Sequence, residues 1–195
     1  MGVIRAFIAI SLSPEVYQHL DQLLAGLKSD LPGGSIRWVP AKNIHLTIKF
    51  LGEVSISSQE LLGRSLQAEA SRHPSFEISV GGLGVFPSLR RPHVIWVGVE
   101  APLELAALQH AVEAEMARLG YAPEERPFSP HLTLGRVARN ASLDETRRIS
   151  DVLGKSKVGF LGAFRVQSVY LYRSDLQPGG SVYTRLFTAS LAARA

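Results

Sequence analysis

Two tetrads in this 195-residue chain carry side chains able to move protons: His45-Leu46-Thr47-Ile48 and His131-Leu132-Thr133-Leu134. The two histidines stand 86 residues apart, close to half the chain. Successive side chains of a strand point to opposite faces, so each H-x-T strand shows His and Thr on one face and its apolar pair on the other. Where two such faces meet across a groove, the groove holds two imidazoles and two hydroxyls. Phosphate-ester cleavage uses that set. One group takes a proton from the attacking water or hydroxyl, and a second protonates the departing oxygen. Histidine, with an ordinary pKa of ~6.5, does either at neutral pH. Threonine hydroxyls donate to the non-bridging oxygens and hold the phosphorus between the imidazoles.

Other chemistries fit the same residues less well. A single half-exposed strand histidine is commonly a packing residue, but two in matched tetrads argue for a shared task. A metal site needs a third ligand. The tetrads contain no Asp or Glu, and there is no H-E-x-x-H helix. The chain has no cysteine, which removes disulfides, thiolate nucleophiles and Cys-zinc sites. No G-x-S-x-G elbow is present. The run Gly81-Gly82-Leu83-Gly84 is not followed by a helical pattern and reads as a bulged strand. His19, His73, His93 and His110 have no matching partners; His19 and His110 fall on helical patterns and are expected at the surface. The balance of 21 basic and 17 acidic residues gives net +4. That excess suits an anionic ligand in a cleft better than a broad grip on DNA.

The elements around the tetrads are repeated with them. Arg5–Ile10 and Val94–Val99 read as strands. Ser13-Pro14 opens a helix with Val16, Leu20, Leu23, Leu24 and Leu27 on one face. Ala101-Pro102 opens another, striped by Leu105, Leu108, Val112, Met116 and Leu119 and ended by Gly120. After the tetrads, Ser57 with Glu60 and Ser142 with Glu145 predict capping boxes, before Leu61, Leu62 and Leu66 and before Ile149, Val152 and Leu153. Strands Phe76–Val80 and Phe164–Tyr170 follow. Each half thus reads strand, helix, H-x-T strand, helix, strand. The expectation is one α+β domain over 1–195 with two pseudo-symmetric lobes, approximately 1–92 and 93–195 as sequence repeats. Turns are expected at Leu31–Ser35, Pro87–Pro92 and Gln177–Gly180. No apolar run reaches membrane-spanning length. Val3–Leu12 is short, is interrupted by Arg5 and lacks a cleavage site, and Ala6 stands where a myristoylation motif needs Ser or Thr. A soluble, cytoplasmic monomer is expected.

The chain resembles the 2H phosphoesterase superfamily, and within it the RNA 2′,3′-cyclic phosphodiesterases, the 2′-5′ RNA ligase (LigT or ThpR) family. The resemblance rests on Arg5–Ile10, Arg37-Trp38-Val39, Asn43–Glu53, Phe128–Arg136 and Leu171–Ser174, and runs from about Arg5 to Phe187. Ile48 stands where the family more often has Leu, which keeps the apolar face. The resemblance implies a bilobal LigT-like fold, each lobe a mainly antiparallel sheet with helices, and an active groove between them. It implies hydrolysis of RNA 2′,3′-cyclic phosphate ends to 2′-phosphomonoesters and reversible, ATP-independent 2′-5′ ligation; the two-histidine chemistry itself calls for no metal or other cofactor. The partner that the resemblance implies is an RNA or oligonucleotide with a 2′,3′-cyclic phosphate, tRNA fragments being one candidate. It maps the catalytic pair onto His45 and His131, the phosphate-binding hydroxyls onto Thr47 and Thr133, and nucleobase contacts onto Arg136 and Phe50.

Roles follow as expectations: His45 is the proton donor to the 3′-oxygen and His131 the proton acceptor from water, an assignment that near-symmetric motifs allow to be exchanged. Ideal alternation puts Phe50 and Arg136 on the face opposite their histidines, so core packing competes for Phe50, while Gly135 permits a bulge that turns Arg136 inward. Lys49 lies on the His45 face by alternation, at the groove entrance or in solvent. Tyr170 and Tyr172 either add to the groove or pack. Two other functions compete: a nucleotide- or RNA-binding module without turnover, and a cyclic phosphodiesterase for small molecules such as ADP-ribose cyclic phosphate.

Overall fold

The computed structural model describes residues 2–31, 34–178 and 180–193. Pro32, Gly33 and Gly179, which belong to two of the expected turns, lie outside them. In chain order the elements are β1 (Val3–Ile10), α1 (Pro14–Asp30), β2 (Ile36–Trp38), a 3₁₀ turn (Ala41–Asn43), β3 (Leu46–Ser55), a 3₁₀ turn (Ile56–Ser58), α2 (Gln59–Ala70), β4 (Phe76–Ser88), β5 (Arg91–Glu100), α3 (Leu103–Arg118), β6 (His131–Val137), α4 (Leu143–Lys155), β7 (Phe160–Val166), β8 (Ser168–Gln177) and β9 (Gly180–Ser190).

Local chemistry sets the helix ends. Ser13 caps α1, its hydroxyl accepting from the Val16 amide, and Pro14 fills the first turn, where no amide donor is needed. Val16, Leu20, Leu24 and Leu27 are buried on one stripe. Ser142 and Glu145 form the expected reciprocal box on α4. The Ser57–Glu60 box does not form. Ser57 exchanges a hydrogen bond with the Ser55 hydroxyl inside the 3₁₀ turn, and α2 starts only at Gln59, with Leu61 exposed and Leu62 and Leu66 buried.

The strands form one sheet in the order β7-β4-β5-β6-β3-β1-β8-β9, and β2 pairs with β6 beside this path. Neighbouring strands are antiparallel throughout. Read inward from either edge, β7-β4-β5-β6 mirrors β9-β8-β1-β3. The half-sheets do not coincide with the sequence repeats 1–92 and 93–195. The strand that follows the second helix of the first repeat, β4, pairs with β5, the opening strand of the other, and β8 likewise returns to β1. Helices cross over as well: α1 packs on β7 and α3 on β3.

Two strands differ from the sequence expectation. Phe164–Tyr170 is not continuous: it breaks at Gln167, because β7 pairs with β4 while β8 pairs with β1 in the other half. Phe76–Val80 instead extends to Ser88, through the glycine run and into the expected turn, leaving Leu89-Arg90 as the hairpin tip. The run does carry a bulge: the register slips between Gly81 and Leu83, and Gly82 adopts φ 72°, a conformation that glycine takes without steric cost.

Candidate active site

β3 and β6 meet at the middle of the sheet, paired through Leu46 and Leu132. Both leucines point into the core, at 1% and 0% exposure. Alternation therefore turns His45, Thr47, His131 and Thr133 to the opposite, open face. The antiparallel register also decides who faces whom. His45 lies across from Thr133, and Thr47 across from His131, a four-cornered set centred on one rung.

The two imidazoles are anchored alike. Nδ1 of His45 donates to the Asn43 carbonyl at 2.8 Å, and Nδ1 of His131 to the Ser129 carbonyl at 2.7 Å. A carbonyl only accepts, so each neutral ring keeps its proton on Nδ1 and offers Nε2 as the basic atom. Asn43 is itself tied to β9, its Nδ2 donating to the Ser181 carbonyl at 2.9 Å. Their surroundings differ. His45 stacks on Phe7 at 4.7 Å and meets Tyr183 edge-on at 5.2 Å. Burial pushes the His45 pKa below its ordinary value, and the bond to Asn43 only partly opposes it. His131 meets Phe86 edge-on at 5.1 Å, with Trp96 beyond.

Bulges resolve the problem of Phe50 and Arg136. On β3, Thr47 faces Ala9 and Lys49 faces Ile8, so Ile48 is an extra residue. On β6, Thr133 faces Trp96 and Gly135 faces Ile95, so Leu134 is extra. Each bulge inverts the alternation at the same offset from its histidine. Ile48 and Lys49 are both buried, as are Leu134 and Gly135. Phe50 and Arg136 swing back to the open face. A Cβ on Gly135 would come within 2.9 Å of the Trp38 ring, so glycine is what lets β2 close on β6 there. His45, Thr47, Phe50, His131, Thr133 and Arg136 line one cavity of about 430 Å³.

A profile of the 2′-5′ RNA ligase superfamily matches residues 12–178. The chain belongs to the 2′-5′ RNA ligase superfamily. It is 34% identical to a curated RNA 2′,3′-cyclic phosphodiesterase of Methanothermobacter thermautotrophicus over 93% of this chain and 95% of that protein. It is 32% identical to the Escherichia coli protein of the same name, over 93% of each. Its fold is similar to that of Escherichia coli LigT complexed with 3′-AMP, with TM-score 0.74 at 28% identity, over 97% of this chain and 99% of that one.

In this superfamily member, Lys49 is neither at the groove entrance nor in solvent. The bulge at Ile48 turns it inward, where it is 3% exposed. Its ammonium pairs with Glu113 of α3 and donates to the Ala122 carbonyl at 2.8 Å. Glu113 also accepts the Glu124 amide at 2.8 Å, so this ion pair ties β3 and α3 to the segment that leads to Ser129 and His131. His19 is likewise not a free surface residue; its Nδ1 is 2.6 Å from the Leu161 carbonyl. His110 is exposed. Among the described residues, no three or more His, Cys, Asp or Glu side chains are grouped to hold a metal. No helix there is long and apolar enough to cross a membrane.

Sequence reasoning missed the rings that enclose the histidines: Phe7, Tyr183, Phe86 and Trp96. It also treated Arg5 as an interruption of an apolar strand, whereas Arg5 lines the cavity. Phe7 and Arg5 share a face of β1 at spacing two, the one local signal available.

Proposed function

We propose that this protein hydrolyses the 2′,3′-cyclic phosphate at the end of an RNA chain and leaves a 2′-phosphomonoester. The observation that carries the reading is the pair of Nδ1-anchored histidines set diagonally across the Leu46–Leu132 rung, each opposite a threonine. That its relatives are RNA 2′,3′-cyclic phosphodiesterases supports RNA as the substrate class.

The phosphorus sits above the rung, with Thr47 and Thr133 donating to the non-bridging oxygens. His131 Nε2 takes a proton from water as the water oxygen bonds to phosphorus. The bond from phosphorus to the 3′-oxygen breaks, and that oxygen leaves with the electron pair and takes the proton from His45 Nε2–H. The 2′-ester remains. His131 ends charged and His45 neutral, and exchange with solvent resets both. No metal enters this scheme. A 5′-hydroxyl in place of water forms a 2′-5′ linkage, drawing on the cyclic ester instead of ATP.

His45 is biased toward neutrality in the free protein by its burial. The anionic phosphate of the substrate opposes that bias and favours the protonated, acid form of His45. The same burial favours a second assignment, with His45 as base and His131 as acid. A substrate with sulfur in place of the 3′-oxygen separates the two, because a thiolate leaves without a proton. Under the first assignment it restores turnover to His45→Ala; under the second, to His131→Ala.

The reading is tested with adenosine 2′,3′-cyclic phosphate and exhaustively chelated enzyme. The expected result is full activity with 2′-AMP as product. Loss of activity restored by Zn²⁺ or Mn²⁺ contradicts the metal-free scheme, and 3′-AMP contradicts the substrate orientation. No turnover of any cyclic phosphate leaves a binding module, and a strong preference for ADP-ribose cyclic phosphate moves the substrate class away from RNA.

A further inference from the structure

Resting on the reading that the groove takes an RNA end, we propose that the body of the RNA leaves it through a second, basic cleft beyond Phe7. A 2′,3′-cyclic phosphate terminates its chain, so every other nucleotide is attached through the 5′-oxygen of the terminal nucleoside and must exit to one side. The structure offers two exits. One, past Phe50, is a recess walled by the segment Ala122–Arg126. It presents the exposed carboxylates of Glu124 and Glu125, and its Arg126 is already bonded to Glu124 at 2.9 Å. Its lysine, Lys49, is buried against Glu113. A polyanion gains little there.

The other exit differs in charge and in shape. A stack of rings runs from His45 through Phe7, itself buried, to Tyr172, whose ring lies 5.3 Å from that of Phe7. Beyond it lies a cleft of about 870 Å³ lined by Tyr17, Tyr172, Lys28, Lys42 and Arg185, with Asp21 as its one carboxylate among the described residues. The Arg185 guanidinium lies over Tyr170, its central carbon 4.2 Å from the ring centre. The rim between groove and cleft is the 3₁₀ turn Ala41–Asn43, so the two cavities share a wall: Asn43 lines one and Lys42 the other. Flat rings and a guanidinium over one of them, beside flexible cations, are what single-stranded RNA binds: bases stack and phosphates pair, with little dependence on sequence.

The test compares adenosine 2′,3′-cyclic phosphate with a pentaadenylate ending in the same group. The variant is Lys42→Ala/Arg185→Ala, which removes two cleft cations and touches neither histidine nor threonine. Wild type is expected to show a lower KM for the pentamer than for the mononucleotide. The variant is expected to raise the pentamer KM about tenfold, the effect of losing one stacking or phosphate contact, and to leave both constants for the mononucleotide unchanged. Binding of a pentaadenylate 3′-phosphate, followed by fluorescence anisotropy, gives the same comparison without chemistry. Wild-type binding is expected to weaken with salt more steeply than variant binding, by about 0.7 in log–log slope per lost phosphate contact. Equal use of both substrates by wild type, or pentamer binding unchanged in the variant, overturns the exit route. Failure of the catalytic reading shows separately, as absent mononucleotide turnover with pentamer binding and its variant dependence intact.

Discussion

Leu46 of β3 lies directly opposite Leu132 of β6, and around this rung the two halves of the molecule repeat each other. The residue before each leucine is a histidine with Nδ1 on a carbonyl two positions upstream, and the residue after each is a threonine. Two positions beyond each leucine an extra residue bulges, and Phe50 and Arg136 return to the open face at equivalent places. The symmetry stops at the surroundings, which bury His45 between Phe7 and Tyr183.

That burial makes stability depend on pH. The folded state disfavours the His45 imidazolium, so the unfolded chain binds that proton first as pH falls. Stability present above ~6.5, the ordinary histidine value, is lost as pH drops through the lower folded value. Thermal midpoints between pH 7.5 and 5 are expected to fall more for wild type than for His45→Gln, and inorganic phosphate, by favouring the imidazolium, is expected to narrow the gap. Identical pH slopes for the two proteins would remove burial as the cause.

Much of this arrangement was legible in the chain, and the rest was hidden for identifiable reasons. Ser13-Pro14 and Ser142-Glu145 specify helix starts by local hydrogen bonds, and the two tetrads show their polar faces by alternation. Ser57 failed as a cap because Ser55, two residues away, offered its hydroxyl a competing partner. The inward turn of Lys49 and the outward turn of Phe50 depend on how β3 registers against β1, a long-range pairing that alternation cannot report. The division at Gln167 and the return of β8 to β1 are equally non-local. Each stretch looks like a strand, and only the pairing says which half it joins.

The bulged residues are expected to act on binding. Phe50→Ala and Arg136→Ala should each raise KM for a cyclic mononucleotide by about tenfold, as for a lost stacking contact, with kcat within about threefold of wild type. A collapse of kcat with unchanged KM would place either residue in the chemistry instead. Thr47→Ala and Thr133→Ala should lower kcat/KM less than loss of either histidine, since proton transfer survives. A threonine variant weaker than both histidine variants contradicts that order.

Lys49 is expected to matter for folding. Removing it leaves Glu113 as an unpaired, mostly buried charge, so Lys49→Ala should lower unfolding free energy by about 3–5 kcal/mol in urea titrations. The double variant Lys49→Met/Glu113→Leu should be less destabilised than Lys49→Ala. A loss under ~1 kcal/mol for Lys49→Ala would mean the pair is well solvated, against its burial.

The central claim is that two histidines share the proton transfers, and turnover of adenosine 2′,3′-cyclic phosphate by His45→Ala and by His131→Ala tests it most directly. Both variants are expected to keep the wild-type circular dichroism spectrum, and each to lose activity by about 10²–10⁴-fold, the range for a positioned acid or base. Either folded variant turning over at near the wild-type rate would contradict the two-histidine mechanism.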